Sequence, residues 1–289
     1  MHGGFFIGPR DFYQTLRDMP REQLHRINMT RILFINEIMT HYELARLQRR
    51  HTRFINTTMM TSLLGAHTSD GLESGQMVSG VGGQYNFVAM AHQLPEARSI
   101  LLMRAYRTKD DEPQSNVVWN YGHATIPRHL RDIVITEYGI ADLRGQSDSE
   151  VIKRILAITD SRFQDELMLT AKKNRKLEKD YEIPTSQRNN IPDVIHNTLT
   201  RWHDLGVLPD FPFGTDFTDD ELVIVRSLTR LKHSIEHPME LVKTLVNTTV
   251  GKMFESNNDV PERYLERMGM KDVNSFKEKI VRSLFVGNL

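Results

Sequence analysis

The chain has 289 residues, long for one compact core, which points to one large domain or two smaller ones. Hydrophobic residues make up 39% and charged residues 26%, the balance of a folded rather than a disordered chain. Lys plus Arg and Asp plus Glu both number 37, so no net charge calls for nucleic acid or an anionic membrane, and the absence of cysteine excludes disulfides, thiolate zinc sites and cysteine nucleophiles. No apolar run approaches the ~18 residues of a membrane-spanning helix. MHGGFFIGPRDF lacks the basic region and long apolar stretch of a secretory leader. With the missing cysteines, this predicts a reducing compartment and a cytoplasmic protein. The opening HGGFFIGP reads as a strand-to-loop segment from within a larger protein.

Asp11 is placed to cap a short helix through Met19, which Pro20 ends. Residues 31–38 (RILFINEI) read as strand, and 40–51 (THYELARLQRRH) as a helix whose basic end suits its dipole. Residues 53–60 (RFINTTMM) read as strand, and Gly65, Gly71 and Gly75 punctuate a loop around SDGLESG. After VSGVGG (78–83), residues 84–94 carry Phe87, Val88, Met90, Ala91 and Leu94 at helical spacing, closed by Pro95. Strands are predicted at 99–106, 115–119 and 132–138, with a polar loop at 108–114. Ser147 to Glu150 (SDSE) is a capping box opening a helix over 148–158, and a second helix follows from 161 to 177.

Strands alternating with helices predict an α/β domain with a largely parallel sheet over residues 1–185. Beyond Pro184 the pattern changes: 191–208, 219–233, 238–254 and 261–268 all show helical periodicity, with a capping box at Thr218–Glu221 and a packed loop at 210–217. Residues 186–289 are therefore expected to form a mainly helical extension.

The chemistry concentrates around Gly80, Gly82 and Gly83. Glycines between a strand and a helix expose backbone N–H groups at a positive helix end, suited to phosphate, carboxylate or a developing oxyanion, though they equally suit a tight turn without ligand. No Gly-Lys-Ser/Thr follows, and the spacing is not that of a dinucleotide fold. The 12 histidines form no metal-ligating pattern, and there is no G-x-S-x-G elbow.

SGVGGQYNFV (79–88), the Pro-Arg of TIPRH (125–129) and VITEYGIADLRG (134–145) occur in that order. Together they resemble the signatures of the acetyl-CoA hydrolase/CoA-transferase family, in its C-terminal half, over roughly residues 20–180. The resemblance implies a CoA-transferase-like α/β domain paired with an N-terminal CoA-transferase domain missing from this sequence, with the active site between the two. It also implies a homo-oligomer. The substrates would be a short-chain acyl-CoA and a small carboxylate or water, with coenzyme A as substrate or product and no covalently bound cofactor. A family glutamate would attack the thioester, forming an acyl-glutamyl anhydride and then a glutamyl-CoA thioester.

The family carries that glutamate in a stretch like Asn-Ser-Ala-x-Glu-x-Asp. Here the stretch reads NTTMMTSLLG (56–65), with Thr61 or Ser62 expected at the carboxylate position and Glu73 the nearest glutamate. Another nucleophile, activated water or lost activity would each answer this departure. Catalytic candidates are Glu73, Glu137 at a strand end, and His123, whose ordinary pKa suits a general base. Glu73 is equally a solvated loop carboxylate, Glu137 a loop anchor and His123 a packing residue. Gly80, Gly82, Gly83, Gln84, Asn116 and Arg128, with Arg144 beside them, are the candidates for holding CoA, against helix-capping and ion-pair roles.

Overall fold

A computed structural model describes residues 2–4, 7–37, 41–212, 214–236, 262–271 and 276–287. The chain divides into two compact units, Met1–Ile7 with Asp18–Asp210, and Gly8–Arg17 with Phe211–Leu289.

In the first unit, β1 (His2–Gly3) pairs in parallel with β2 (Asn28–Met29). Helix α1 (Arg10–Asp18) intervenes and falls mostly in the second unit, and Asp11 sits in its first turn rather than at its cap. Short helices α2 (Arg21–Leu24), α3 (Ile32–Asn36) and α4 (Tyr42–Gln48) follow. The strand expected at 31–38 is thus helical over Ile32–Asn36. A short apolar run fits either state, and here Arg31 is extended while Glu37 N–H closes a helical turn on Leu33 O.

The main sheet has the order β11-β10-β6-β3. Strands β3 (Arg53–Thr57), β6 (Arg98–Leu102) and β10 (Ile133–Thr136) run parallel, and β11 (Gly139–Asp142) folds back antiparallel on β10. A second sheet joins β4 (Met60–Ser62), β5 (His67–Thr68) and β9 (Val117–Val118). Helix α5 (Gln84–Gln93) leads from the glycine loop into β6. The expected polar loop at 108–114 is a hairpin of β7 (Tyr106–Lys109) and β8 (Glu112–Ser115). It turns on Asp110 and Asp111 at φ 53 and 62, the left-handed pair that a two-residue hairpin needs.

Helix α6 (Asp148–Ala157) starts as predicted, with the Ser147 hydroxyl accepting from Glu150 N–H at 3.3 Å, while the Glu150 carboxylate turns to Lys153 at 3.0 Å. Helix α7 (Ser161–Lys173) stops before the expected 177, where Arg175 takes φ 57. Helix α8 (Pro192–Asp204) closes the unit.

One face of the main sheet is buried. Leu101 packs with Val88 of α5, and Val134 and Ala141 with Val151, Ile152 and Ile155 of α6. The other face carries Ile55, Ile100 and Ile133 in one cross-strand row, and Leu102, Ile135 and Ile140 in the next. Ile55 is 62% and Ile140 68% exposed. Parallel sheets are ordinarily covered on both faces, so this open apolar face stands out.

In the second unit, α9 (Asp219–Glu236) and the helices Glu262–Arg267 and Phe276–Gly287 pack around Ile224, Leu265, Phe285 and Val286. The capping box is realised: Thr218 N–H donates to Glu221 Oε2 at 2.7 Å, and Glu221 N–H to Thr218 Oγ1 at 3.4 Å. The helix expected at 238–254 lies outside the described residues. The architecture is α/β with a largely parallel sheet, then a mainly helical part, as the pattern predicts. Among the described residues no helix is long and apolar enough to cross a membrane.

Candidate functional site

The glycine loop sits where β3 ends. Gln84, the first residue of α5, is buried and donates from Nε2 to Thr57 O at 3.0 Å, tying helix start to strand end. Its side chain therefore anchors the loop. The three glycines differ in why they lack a side chain. A Cβ on Gly83 would lie 2.6 Å from Asn36 Nδ2 and 3.0 Å from Phe87 Cε2, so packing demands glycine there. Gly82 has φ +58, a left-handed backbone. Gly80 has neither constraint: apart from its own chain neighbours, no atom of the described residues lies within 4 Å of where its Cβ would be. The loop is exposed, at the positive N-terminus of a ten-residue helix.

The loop is fastened to Asp70. Val78 and Ser79 N–H donate to Asp70 O at 2.8 and 3.3 Å, and Ser79 Oγ donates to Ser69 O at 3.2 Å. Asp70 is buried, and its Oδ1 accepts from Thr125 Oγ1 and contacts His123 Nε2 at 3.0 Å. The Thr125 hydrogen bond, then His123, hold the carboxyl below the ordinary carboxylate range against the opposing effect of burial. An ionised Asp70 fixes the proton on His123 Nε2 and leaves Nδ1 as the basic nitrogen. The imidazole lies over Gly71, whose Cβ would meet Cδ2 at 2.9 Å. Glu73 is close by: its N–H donates to Tyr121 Oη at 2.8 Å, and a Cβ on Gly122 would be 3.5 Å from Glu73 Cγ. The fold thus brings Glu73, His123 and the glycine loop together around Asp70, which in the sequence reads only as part of the SDGLESG loop.

Glu137 and Asn116 meet elsewhere, around Ala105. Glu137 Oε2 accepts from Ala105 N–H at 2.8 Å, and Asn116 N–H donates to Ala105 O at 2.9 Å. Asn116 also donates from Nδ2 to Arg104 O and accepts from Arg107. Arg128 lies before β10, at the opposite edge of the parallel sheet from the glycine loop, and faces Asp148 at 3.3 Å. The ten residues of α5, about 15 Å of helix, run between those edges.

Much of the string VITEYGIADLRG holds the fold. Tyr138 donates to Asp160 at 2.9 Å, and the phenol pKa is raised by burial and then by that bond. Arg144 reaches Asp132 at 2.5 Å and Ala97 O at 2.8 Å, and Asp142 and Asp132 both bind Arg98.

The stretch expected to carry the family carboxylate, residues 56–65, runs from the end of β3 through β4, with Thr61 and Ser62, its candidate positions, both in β4. Met60 is buried in β4. Neighbouring hydroxyls are engaged with the backbone: Thr61 Oγ1 with Ser62 O at 3.2 Å, and Ser62 Oγ with Ala66 N–H at 3.0 Å. Among the described residues no cluster of three or more metal-ligating side chains is formed.

Residues 8–171, more than half of the chain, match the acetyl-CoA hydrolase/transferase C-terminal domain, and the chain belongs to that family. The 4-hydroxybutyrate coenzyme A transferase of Clostridium kluyveri is 24% identical over 170 residues, 58% of this chain and 37% of that protein. A probable butyrate:acetyl-CoA coenzyme A-transferase of Syntrophomonas wolfei is 30% identical over 122 residues, 41% of this chain and 27% of that protein. The crystal structure of RipA from Yersinia pestis superposes with a TM-score of 0.50 at 28% identity, covering 61% of this chain and 37% of that one. The matches thus span between about a quarter and little more than a third of these relatives' lengths.

Proposed function

We propose that this chain is the acyl-CoA-binding half of a short-chain acyl-CoA hydrolase, seating the thioester over Gly80 and releasing CoA through water rather than through a glutamyl intermediate. The observation that carries the reading is the open space at Gly80, a glycine demanded by neither packing nor backbone, at the positive end of α5. The two curated relatives are named as CoA-transferases, which supports a CoA thioester as the ligand. With no Asp or Glu anywhere in residues 56–65, no acyl-glutamyl anhydride forms on that stretch. His123, oriented by Asp70 at 3.0 Å, is the base within the same cluster. It takes a proton from water as the oxygen attacks the thioester carbonyl. The C–S bond then breaks, and the CoA thiolate recovers that proton, leaving a carboxylic acid. Glu73 flanks this base, and Glu137 and Asn116 shape the neighbouring strand ends. The open face of Ile55, Ile100, Ile135 and Ile140 is where an N-terminal CoA-transferase domain would pack.

The test is calorimetric and kinetic. Gly80→Val is expected to fold normally yet weaken acetyl-CoA binding at least tenfold. CoA release by the protein joined to its N-terminal domain is expected to fall about 100-fold in His123→Gln, the low end for losing a general base, and to be unchanged by added acetate. Undiminished binding in Gly80→Val would end the reading. Binding without any CoA release would favour a second reading, a CoA-binding module that has lost turnover, which the carboxylate-free stretch 56–65 supports.

A further inference from the structure

We propose that the cavity at the N-terminal edge of the main sheet, walled by Arg128, His129, Arg131 and Arg144, binds the phosphate group of a small molecule. The cavity holds about 350 Å³ and is closed by His92 and Asp148, enough room for a phosphate and part of the group that bears it.

Charge is unbalanced here. Asp148 is shared by Arg128 at 3.3 Å, Arg131 at 3.3 Å and Lys176 at 3.1 Å. Asp132 is shared by Arg98 and Arg144, and Asp142 also binds Arg98. Five cations (Arg98, Arg128, Arg131, Arg144, Lys176) against three carboxylates (Asp132, Asp142, Asp148) leave an excess of two. That excess matches a phosphate dianion.

Structural duties account for some of these cations and not for others. Arg131 donates to Leu64 O at 3.0 Å and Gln146 O at 2.8 Å, and Arg144 to Ala97 O at 2.8 Å. Among the described residues, the Arg128 guanidinium meets Asp148 at 3.3 and 3.4 Å, longer than the roughly 2.7–2.9 Å of a strong guanidinium–carboxylate bond. Its side chain is 55% exposed, and His129 is exposed beside it. A guanidinium fork with unused donors suits a tetrahedral oxyanion. The Ser147-capped N-terminus of α6 adds its dipole at the cavity mouth.

The phosphate could come from the 3′-phosphate of CoA or from a separate phosphate monoester, and titration separates the sources. Inorganic phosphate, adenosine 3′-monophosphate, CoA and dephospho-CoA are titrated into the 289-residue protein, Arg128→Gln and His129→Gln, with folding checked by thermal melts. Phosphate and the monoester are expected to bind, about tenfold more weakly in Arg128→Gln. A preference for CoA over dephospho-CoA that vanishes in Arg128→Gln assigns the phosphate to CoA. Equal affinity for the two, with the monoester still dependent on Arg128, assigns a separate ligand. No phosphate binding at millimolar concentration, or binding indifferent to both substitutions, overturns the proposal.

Discussion

His67 is 1% exposed, and neither ring nitrogen has a hydrogen-bond partner. Burial pushes its pKa down from 6.5 to about 4. The folded chain keeps this imidazole neutral where the unfolded chain protonates it. Its contribution is thus intact above pH 6.5 and is lost as pH falls from 6.5 toward 4. At about 1.4 kcal/mol per unit, roughly 2 kcal/mol should disappear between pH 7 and 5. Urea unfolding at those two pH values should show His67→Gln losing about 2 kcal/mol less than the parent. Equal losses would show that another group sets the acid limit. Asp70 and His123 teach a related lesson. They are 53 positions apart in sequence, and only the fold joins them.

Among the elements, the β10–β11 hairpin explains the most specific string in the sequence. Asp132, 1% exposed in its side chain, accepts from Ser99 N–H and binds both Arg98 and Arg144. Removing one member of such a cluster leaves its partners uncompensated. Asp132→Asn is expected to cost about 3 kcal/mol, the low end because the guanidinium side chains are 25% and 32% exposed. A urea midpoint equivalent to less than 1 kcal/mol would contradict this. Elements with strong periodicity were legible: α5, α6 and β10 lie within their expected spans, and β6 (Arg98–Leu102) overlaps the first part of the strand expected at 99–106. The β7–β8 hairpin was not, because Asp110-Asp111 lacks the glycine that usually announces such a turn. α3 was missed because five apolar-rich residues carry too little period to decide.

For the whole molecule, sequence conveyed the alternation and hence the parallel sheet, but not its open side. Runs such as Ile-Val-Ile in β10 read as strands buried on both faces. Yet Ile55 and Ile140 are more than half exposed. Replacing both with lysine should leave the urea midpoint within about 0.5 kcal/mol of the parent and sharply reduce binding of an apolar fluorescent dye. A large loss of stability would show that this face is already covered in the chain.

Helix α5 begins at the glycine loop and, at its penultimate residue, places His92 at the cation-lined cavity. It has no proline and no internal glycine, so it lacks a soft joint. If a ligand at the cavity alters acyl-CoA affinity by some factor, acyl-CoA must alter affinity at the cavity by the same factor. A single titration of one ligand in the presence of the other reads whether the two occupancies are cooperative, antagonistic or independent.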